Sequence, residues 1–152
     1  MNMGLLKENI PSEYTIIVGC GRLGANLADE ISESGGNVMI IDRDETSFRK
    51  LSSGYGGLTL VGDATDLSVL KDAGIERAQV VISVTDFDNT NIMVAQIARE
   101  LYHIPKVVCR LYDPERECVY HEFGIDTICP VVLSARKIKR LIGNEGRQER
   151  EA

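Results

Sequence analysis

Short runs rich in Val and Ile alternate along this chain with segments of helical periodicity, and this alternation constrains the fold more than any other feature. Strands that are apolar on both faces and are joined by helices form parallel sheets. The runs with the length of a strand are residues 14–18, 37–41, 58–61, 79–84, 106–111 and 127–129. The segments with helical spacing are 23–34, 45–51, 67–73, 89–102, 114–123 and 131–142.

Right-handed crossovers between six such strands give a doubly wound sheet. We therefore predict an α/β fold, a Rossmann-like doubly wound parallel six-stranded sheet with strand order 3-2-1-4-5-6. The length of 152 residues allows a single domain, which we expect over residues 14–142. Residues 1–13 lack the apolar core of a secretory signal and are expected to be a flexible lead-in. Residues 143–152 are polar, and we expect a disordered tail there.

The charge balance and the lack of long apolar stretches narrow the choice of partners. Asp and Glu number 23 against 17 Lys and Arg, and the resulting net charge of −6 repels a nucleic acid on average. A small phosphate compound is still compatible with this charge, because its binding needs only a few donors and a helix N-terminus. No apolar stretch reaches the roughly 20 residues that span a bilayer, so we expect a soluble chain.

The cysteines show no C-x-x-C spacing, and each lies in or beside an apolar run. They are Cys20, Cys109, Cys118 and Cys129. This pattern suits the reduced thiols of a cytoplasmic protein, which fill small spaces in a core. We therefore expect no structural metal.

A glycine-rich motif connects the first predicted strand to the first predicted helix. In a Gly-x-Gly-x-x-Gly motif the first glycine allows a tight turn, the second lets a phosphate approach the backbone, and the third lets the helix pack against the strand. The free N–H groups at the helix N-terminus then face the anion. The motif consists of Gly19, Cys20, Gly21, Arg22, Leu23 and Gly24, and it predicts a phosphate-binding loop.

An acidic residue at the tip of the second predicted strand extends this motif. Asp42 stands about 20 residues after the loop, where a carboxylate accepts hydrogen bonds from both ribose hydroxyls. The same carboxylate repels a 2′-phosphate and so disfavours NADP, although the adjacent Arg43 keeps NADP open. The alternative is that Asp42 only begins a turn and caps a helix.

Three further residues fall near the same edge of the predicted sheet. Asp63 follows the third strand, where its carboxylate would accept a hydrogen bond from an adenine amine, but a strand-end Gly-Asp is as often a simple turn. Thr85 ends the fourth strand at the topological switch point. Arg22 favours a diphosphate or triphosphate through a bidentate contact, and the alternative is an exposed arginine that pairs with a nearby acid.

The chain lacks the parts that an enzyme of this fold class needs. Six βα units leave no room for a substrate domain. His103 and His121 are expected to be surface or cap residues. Tyr102 and Lys106 match a Tyr-x-x-x-Lys spacing, but Pro105 places them on a helix end and a strand. We predict that the protein is not an enzyme.

Taken together, these motifs resemble the TrkA N-terminal family, also called KTN or RCK-N domains. The resemblance implies a cytosolic regulatory subunit beneath a membrane potassium transporter or channel, gating it in response to bound NAD, NADH, ATP, ADP or AMP. The likeness spans residues 14–142 and is carried by residues 17–24, 41–42, 61–65, 84–86, 110 and 124–126.

The resemblance also implies roles for individual residues. The loop of residues 19–24 would hold the phosphates, and Asp42 would bind the ribose. Asp63 and Ala64 would contact the adenine. The residues implied to line the rest of the crevice are Thr85 and Arg110.

Family members assemble as homodimers within larger rings, and their last helix crosses to the partner. In this chain an apolar stripe with helical spacing fits that arrangement, and the alternative is that the stripe covers the sheet of its own chain. The stripe consists of Val131, Ala135, Ile138 and Ile142.

Two features depart from the family pattern. Most relatives continue into a C-terminal ligand-binding subdomain, so the chain either pairs with a longer TrkA-like chain or is part of a protein cut at the domain boundary. Val131 stands where many relatives carry an acid, which disfavours metal-assisted binding of a triphosphate. Two other functions stay open: a nucleotide-sensing module of another cation transporter, and a small NAD-dependent oxidoreductase subunit.

Overall fold

A computed structural model describes residues 13–116 and 120–143 of the chain. Within these residues one sheet has the order β3-β2-β1-β4-β5-β6, and every neighbouring pair of strands is parallel. The predicted Rossmann-like fold and strand order are therefore confirmed. The strands are β1 Tyr14–Val18, β2 Asn37–Asp42, β3 Leu58–Val61, β4 Val80–Ser83, β5 Lys106–Arg110 and β6 Asp126–Ile128.

Helices connect these strands and cover the two faces of the sheet. The α-helices of the described segments are α1 Arg22–Glu33, α2 Leu67–Asp72, α3 Asp88–Gln96 and α4 Pro130–Ile142. Helix α3 continues directly into a π-helical turn, Ile97–Leu101. Short 3-10 helices occupy Glu45–Lys50, Ile75–Arg77 and Pro114–Arg116.

Two predicted helices differ from the observed ones. The segment 45–51 forms the 3-10 helix Glu45–Lys50 rather than an α-helix. The Asp44 carboxylate caps its start by accepting from the N–H of Thr46, and the chain is extended again at Leu51. The segment 114–123 begins as a 3-10 turn at Pro114–Arg116, and residues 117–119 lie outside the described part. Residue Cys118, the lead-in up to residue 12 and the tail from residue 144 lie outside it as well, so their predictions stay predictions.

Each face of the sheet carries its own apolar cluster, which explains why the strands are apolar on both sides. Alternate residues of β1 serve the two faces: Ile16 and Val18 belong to one cluster and Ile17 to the other. The first cluster includes Leu70 of α2 and residues of α3. The second includes Ala28 of α1. The carboxyl ends of the strands are thereby fixed from both sides.

Helix α4 is an exception to this packing, because it has no buried residue. Val131, Ile138 and Ile142 are 60%, 57% and 80% exposed. The alternative in which this apolar stripe covers the sheet of its own chain is therefore wrong.

In the described residues no helix is both long and apolar enough to cross a membrane.

Candidate functional site

A cavity of about 230 Å³ opens at the carboxyl ends of β1 to β4. This is the edge where doubly wound sheets bind ligands. It brings together eight of the residues predicted from the sequence: Gly19, Cys20, Gly21, Asp42, Arg43, Asp63, Ala64 and Thr85. Other lining residues, to which the sequence analysis gave no role in the site, include Ser47, Lys50, Gly62, Asp86, Phe87 and Thr90.

The three glycines of the loop differ in the space that surrounds them. Gly19 has a φ of 105°, and a Cβ there would lie 2.9 Å from the backbone nitrogen of Thr85. A Cβ at Gly24 would collide with the carbonyl oxygen of Gly19, so only glycine lets α1 pack this closely on the end of β1. A Cβ at Gly21 would meet nothing within 4 Å, so the space in front of this residue is open.

The N-terminus of α1 borders the cavity without a cap. Gly21 is the N-cap residue and has no side chain to accept a hydrogen bond from the first turn. The first turn also contains no acidic residue. The free N–H groups and the positive end of the helix dipole are therefore available to an anion.

The Asp42 carboxylate is fixed by two backbone amides. Its Oδ2 accepts a hydrogen bond from the N–H of Cys20 at 2.8 Å, and its Oδ1 accepts one from the N–H of Asp44 at 2.8 Å. Asp42 thus joins the phosphate loop to the segment after β2. Each carboxylate oxygen still has a lone pair for a further donor, such as a ribose hydroxyl.

Asp63 stays charged at the end of β3. Its Oδ1 accepts hydrogen bonds from the hydroxyl and the N–H of Thr65, at 2.6 and 2.9 Å. These hydrogen bonds, with a smaller contribution from the charge of Arg43, lower the pKa of the Asp63 carboxyl below its ordinary value. Next to it, Ala64 is 3% exposed.

Cys20 is a buried thiol inside the phosphate loop. It donates to the carbonyl oxygen of Ser47 at 3.4 Å. Burial raises the pKa of this thiol to about 11, and the charge of Asp42 adds to the increase while Lys50 opposes it. The thiol is therefore protonated at neutral pH, when it is a poor nucleophile. Cys109 and Cys129 are also free and buried.

Thr85 is held by a residue that the sequence analysis missed. The Oδ1 of Asn91 accepts hydrogen bonds from the N–H and the hydroxyl of Thr85, at 2.8 and 2.6 Å, and from Ser83. Its Nδ2 donates to the carbonyl oxygens of Thr85 and Arg110, at 2.9 and 3.0 Å. Asn91 is completely buried in the first turns of α3, where a polar residue needs such partners.

Arg110 does not line the cavity, although it was predicted to. Its Nη2 donates to the carbonyl oxygen of Thr85 at 2.9 Å and to Asp86 at 3.3 Å, so the guanidinium supports the cavity wall from behind. The guanidinium also lies 5.4 Å from the ring centre of Tyr112. Its Nε is buried without a hydrogen-bond partner.

The other predicted loop residues also lie outside the cavity lining. Arg22 lines an adjoining groove on the first turns of α1. Leu23 packs against the apolar cluster beneath α1, and Gly24 is buried. Among residues 13–116 and 120–143, no group of three or more His, Cys, Asp or Glu side chains has a geometry that could hold a metal ion.

Comparison with known proteins places the chain in a family. A family model described as TrkA-N domain matches residues 15–130. The chain belongs to the TrkA-N domain family. The resemblance inferred from the sequence motifs is thereby confirmed.

A relative of known name belongs to a potassium uptake system. The Trk system potassium uptake protein TrkA of Streptomyces coelicolor is 42% identical over 127 residues, which cover 84% of this chain and 57% of that protein. The chain thus spans less than two thirds of this relative.

Solved structures share the fold. The crystal structure of the GsuK bound to ADP superimposes on this chain with a TM-score of 0.71 and 28% sequence identity. The match covers 85% of this chain and 33% of the GsuK chain. The TrkA-N domain of the inner membrane protein ybaL from Escherichia coli has a TM-score of 0.77 at 19% identity, covering 88% and 98% of the two chains, and shows the shared fold alone.

Proposed function

We propose that this chain is a nucleotide-binding regulatory subunit of a membrane potassium uptake system, and that an adenine nucleotide in the crevice gates transport. The observation that carries the proposal is that one cavity combines the uncapped N-terminus of α1 with the Asp42 carboxylate. The name of the Streptomyces relative supports the connection to potassium uptake, and the ADP-bound GsuK structure supports a nucleotide.

The phosphates of the nucleotide would bind at the start of α1. The open space in front of Gly21 admits a phosphate close to the backbone, and no side chain of the described residues accepts a hydrogen bond from the N–H groups of the first turn. Such a helix terminus binds phosphate through its amides and its dipole. This half of the site would be common to mononucleotides and dinucleotides.

The ribose and the adenine would bind at the ends of β2 and β3. Asp42, already oriented by the amides of Cys20 and Asp44, would accept hydrogen bonds from the ribose hydroxyls. At Asp63, Thr65 occupies only Oδ1, so Oδ2 would accept a hydrogen bond from the adenine amine. Ala64 would contact the face of the base.

The contents of the cavity support a binding role rather than catalysis. Within the described part of the chain its lining contains no histidine, and the protonated Cys20 thiol is not an activated nucleophile. The acidic groups are held by backbone or side-chain donors, as expected of residues that orient a ligand. We propose that the protein is not an enzyme.

We also propose that α4 packs against a second copy of the chain. Its exposed apolar stripe has no partner surface within the described residues, and covering it would remove large side chains such as Ile138 and Ile142 from water. These dimers would form a ring at the inner face of the membrane beneath the potassium transporter, alone or with a longer TrkA-like chain. A nucleotide would shift this ring only by binding two of its states with different affinity.

Calorimetric titration of the purified chain with ATP, ADP, AMP, NAD and NADH tests the proposed ligand class. We expect Asp42→Ala to weaken all five by about tenfold or more, because each contains the same ribose. Asp66→Ala is the matched control, since Asp66 caps α2 by accepting from Ser68 and does not line the cavity. NADP should bind more weakly than NAD, because its 2′-phosphate meets the Asp42 carboxylate.

Two results would contradict the proposal. The first is that none of the five nucleotides binds the folded wild-type chain. The second is that Asp66→Ala weakens binding as much as Asp42→Ala, because the effect would then come from general destabilisation. Thermal unfolding of each variant, measured in parallel, shows that the titrated protein is folded.

A further inference from the structure

Helix α4 concentrates positive charge in an acidic chain. Its 13 residues include several basic residues and no acidic one. The whole chain, in contrast, has a net charge of −6. The basic residues are Arg136, Lys137, Lys139 and Arg140. The excess of negative charge therefore lies outside this helix.

The helix itself accounts for only part of this cluster. Lys139 and Arg140 lie in the last turn, where a cation interacts favourably with the negative end of the helix dipole. Arg136 and Lys137 lie in the middle of the helix, beyond the reach of that effect. Arg136 also lies one turn from Arg140, and like charges at this spacing repel each other. The cluster therefore destabilises the helix unless an anion neutralises it.

The cluster has no acidic partner in the part of the chain that the structure describes. Its four side chains are exposed, and none of them forms an ion pair or a hydrogen bond with residues 13–116 or 120–143. The carboxylates that pair with cations in this part belong to Glu13, Asp86 and Asp113. The cations of α4 are therefore available to an external anion.

Helical spacing separates most of these cations from the apolar stripe of α4. Residues 133, 136, 137 and 140 follow the spacing i, i+3, i+4 and i+7, which places them on one side of the helix. At 3.6 residues per turn, this side is opposite to the stripe of residues 131, 135, 138 and 142. We call it the basic face; it consists of Leu133, Arg136, Lys137 and Arg140. If the stripe packs against a second copy of the chain, the basic face points away from that interface.

The basic face combines cations with exposed leucines. Leu133 is 49% exposed, and Leu141, which borders the face one turn after Lys137, is 43% exposed. An acidic protein segment would pair with the cations and leave these leucines in water. A bilayer with anionic headgroups accommodates both, because the headgroups meet the cations and the apolar layer beneath them receives the leucines. The composition of the face therefore favours a lipid surface.

The small size of the face reconciles this binding with the negative charge of the chain. At a rise of 1.5 Å per residue, residues 133–140 extend over roughly 10 Å of the helix. This is about the distance over which salt screens exposed charges at 0.1 M ionic strength, so acidic residues farther away oppose binding only weakly. One such face would bind weakly. A dimer would carry two, and the second would bind the same bilayer with a high effective concentration.

We propose that the basic face of α4 binds the surface of an anionic lipid bilayer. Arg136, Lys137 and Arg140 would contact the headgroups, and Leu133 would lie at the apolar boundary beneath them. The proposal goes beyond nucleotide-dependent regulation, although it rests on the proposed location of the protein at the inner face of a membrane. The membrane contact would then come from the chain itself as well as from the transporter.

Co-sedimentation of the full chain with lipid vesicles tests this proposal. We expect the wild type to bind vesicles made of equal parts phosphatidylcholine and phosphatidylglycerol, and to bind vesicles of phosphatidylcholine alone much more weakly. Added salt should weaken the binding, because the charges are exposed. The double variant Lys137→Gln/Arg140→Gln should bind the anionic vesicles about tenfold more weakly or less still, since each basic residue near the surface contributes to the attraction.

Arg49→Gln/Lys71→Gln is the matched control. It changes the net charge by the same amount, and both residues are exposed but lie outside α4, in the 3-10 helix Glu45–Lys50 and in α2. We expect its binding to anionic vesicles to stay within about twofold of the wild type. Unfolding curves of all variants show that the sedimented protein is folded.

Three results would overturn the lipid proposal. The first is equal binding to both kinds of vesicle, because the apolar stripe rather than the charge would then hold the chain. The second is an equal loss of binding in the two double variants. The third is binding to poly-L-glutamate without binding to anionic vesicles, which would assign the face to an acidic protein.

Nucleotide titration of the same samples separates this proposal from the proposed function. A wild type that binds an adenine nucleotide but no anionic vesicle would overturn the lipid contact alone. Binding to anionic vesicles without binding of any nucleotide would support the lipid contact and contradict the proposed nucleotide sensing. The variant Lys137→Gln/Arg140→Gln should bind nucleotides as the wild type does, because neither residue lines the cavity.

Discussion

Helices α1 and α4 are both amphipathic and have nearly equal lengths, 12 and 13 residues, yet one is packed within the chain and the other is not. Helix α1 buries Gly24, Ala25 and Ala28 against the sheet. Helix α4 buries none of its residues. An amphipathic pattern thus predicts the helix and its apolar face, but not whether the same chain covers that face.

The side chains on the two apolar faces account for the difference. Small residues on α1 allow its backbone to approach β1 closely, to the point that a Cβ at Gly24 has no space. The apolar face of α4 instead carries large side chains that project into solvent, as Ile138 and Ile142 do. Exposed apolar patches of this kind mark interaction surfaces.

The largest expected effect comes from removing the close approach of α1. We expect Gly24→Ala to lower the free energy of unfolding by about 3 kcal/mol, because the new methyl group meets the Gly19 carbonyl and the backbone must shift. Urea denaturation followed by circular dichroism measures the change. A loss below about 0.5 kcal/mol would mean that α1 is not packed as tightly as described.

An intermediate effect is expected at α4, whose apolar face should stabilise the proposed dimer. We expect Ile138→Gln to raise the dissociation constant of the dimer by about 100-fold, since a two-fold interface loses the side chain twice. Analytical ultracentrifugation measures this constant. Lys137→Gln, on the adjacent residue, should leave it nearly unchanged. A wild-type chain that stays monomeric at high concentration would refute the proposed α4 interface.

The smallest expected effect concerns the open end of α1. Gly21→Ala adds a methyl group where nothing lies within 4 Å, so the free energy of unfolding should change by less than about 1 kcal/mol. We expect nucleotide affinity to fall by about tenfold, because the methyl group occupies the approach of a phosphate. Titration calorimetry and denaturation of the same sample give both values. Unchanged affinity would show that the ligand does not contact Gly21.

The strand order was predictable because apolar runs buried on both faces leave few alternative topologies. The segment at 45–51 was expected to be helical, but its apolar spacing does not distinguish a short 3-10 helix from a short α-helix. The position of Lys50 beside the cavity was not predicted.

Local motifs also differ in how much they reveal about a site. The glycine loop and Asp42 have fixed spacing along the chain, and the structure brings both to one cavity. Asn91 has no such motif, since its partners Thr85 and Arg110 come from two strands that meet only in the folded sheet. Asn89 and Thr90, directly before it, are polar as well, so no local signal marked Asn91. Arg110 was placed in the crevice by analogy, but its guanidinium turns toward Asp86 and Tyr112.

The amide of Asn91 also restricts how the crevice can move. Because one Nδ2 group donates to the carbonyls of both Thr85 and Arg110, a ligand that displaces the end of β4 must carry the end of β5 with it or break a buried hydrogen bond. The next residue, Leu111, donates to Ile128 in β6, two residues before α4 begins. The hydrogen bonds therefore link the cavity wall to the start of the exposed helix, and small rotations at a bound ligand would reach the surface that we propose packs against a second copy of the chain.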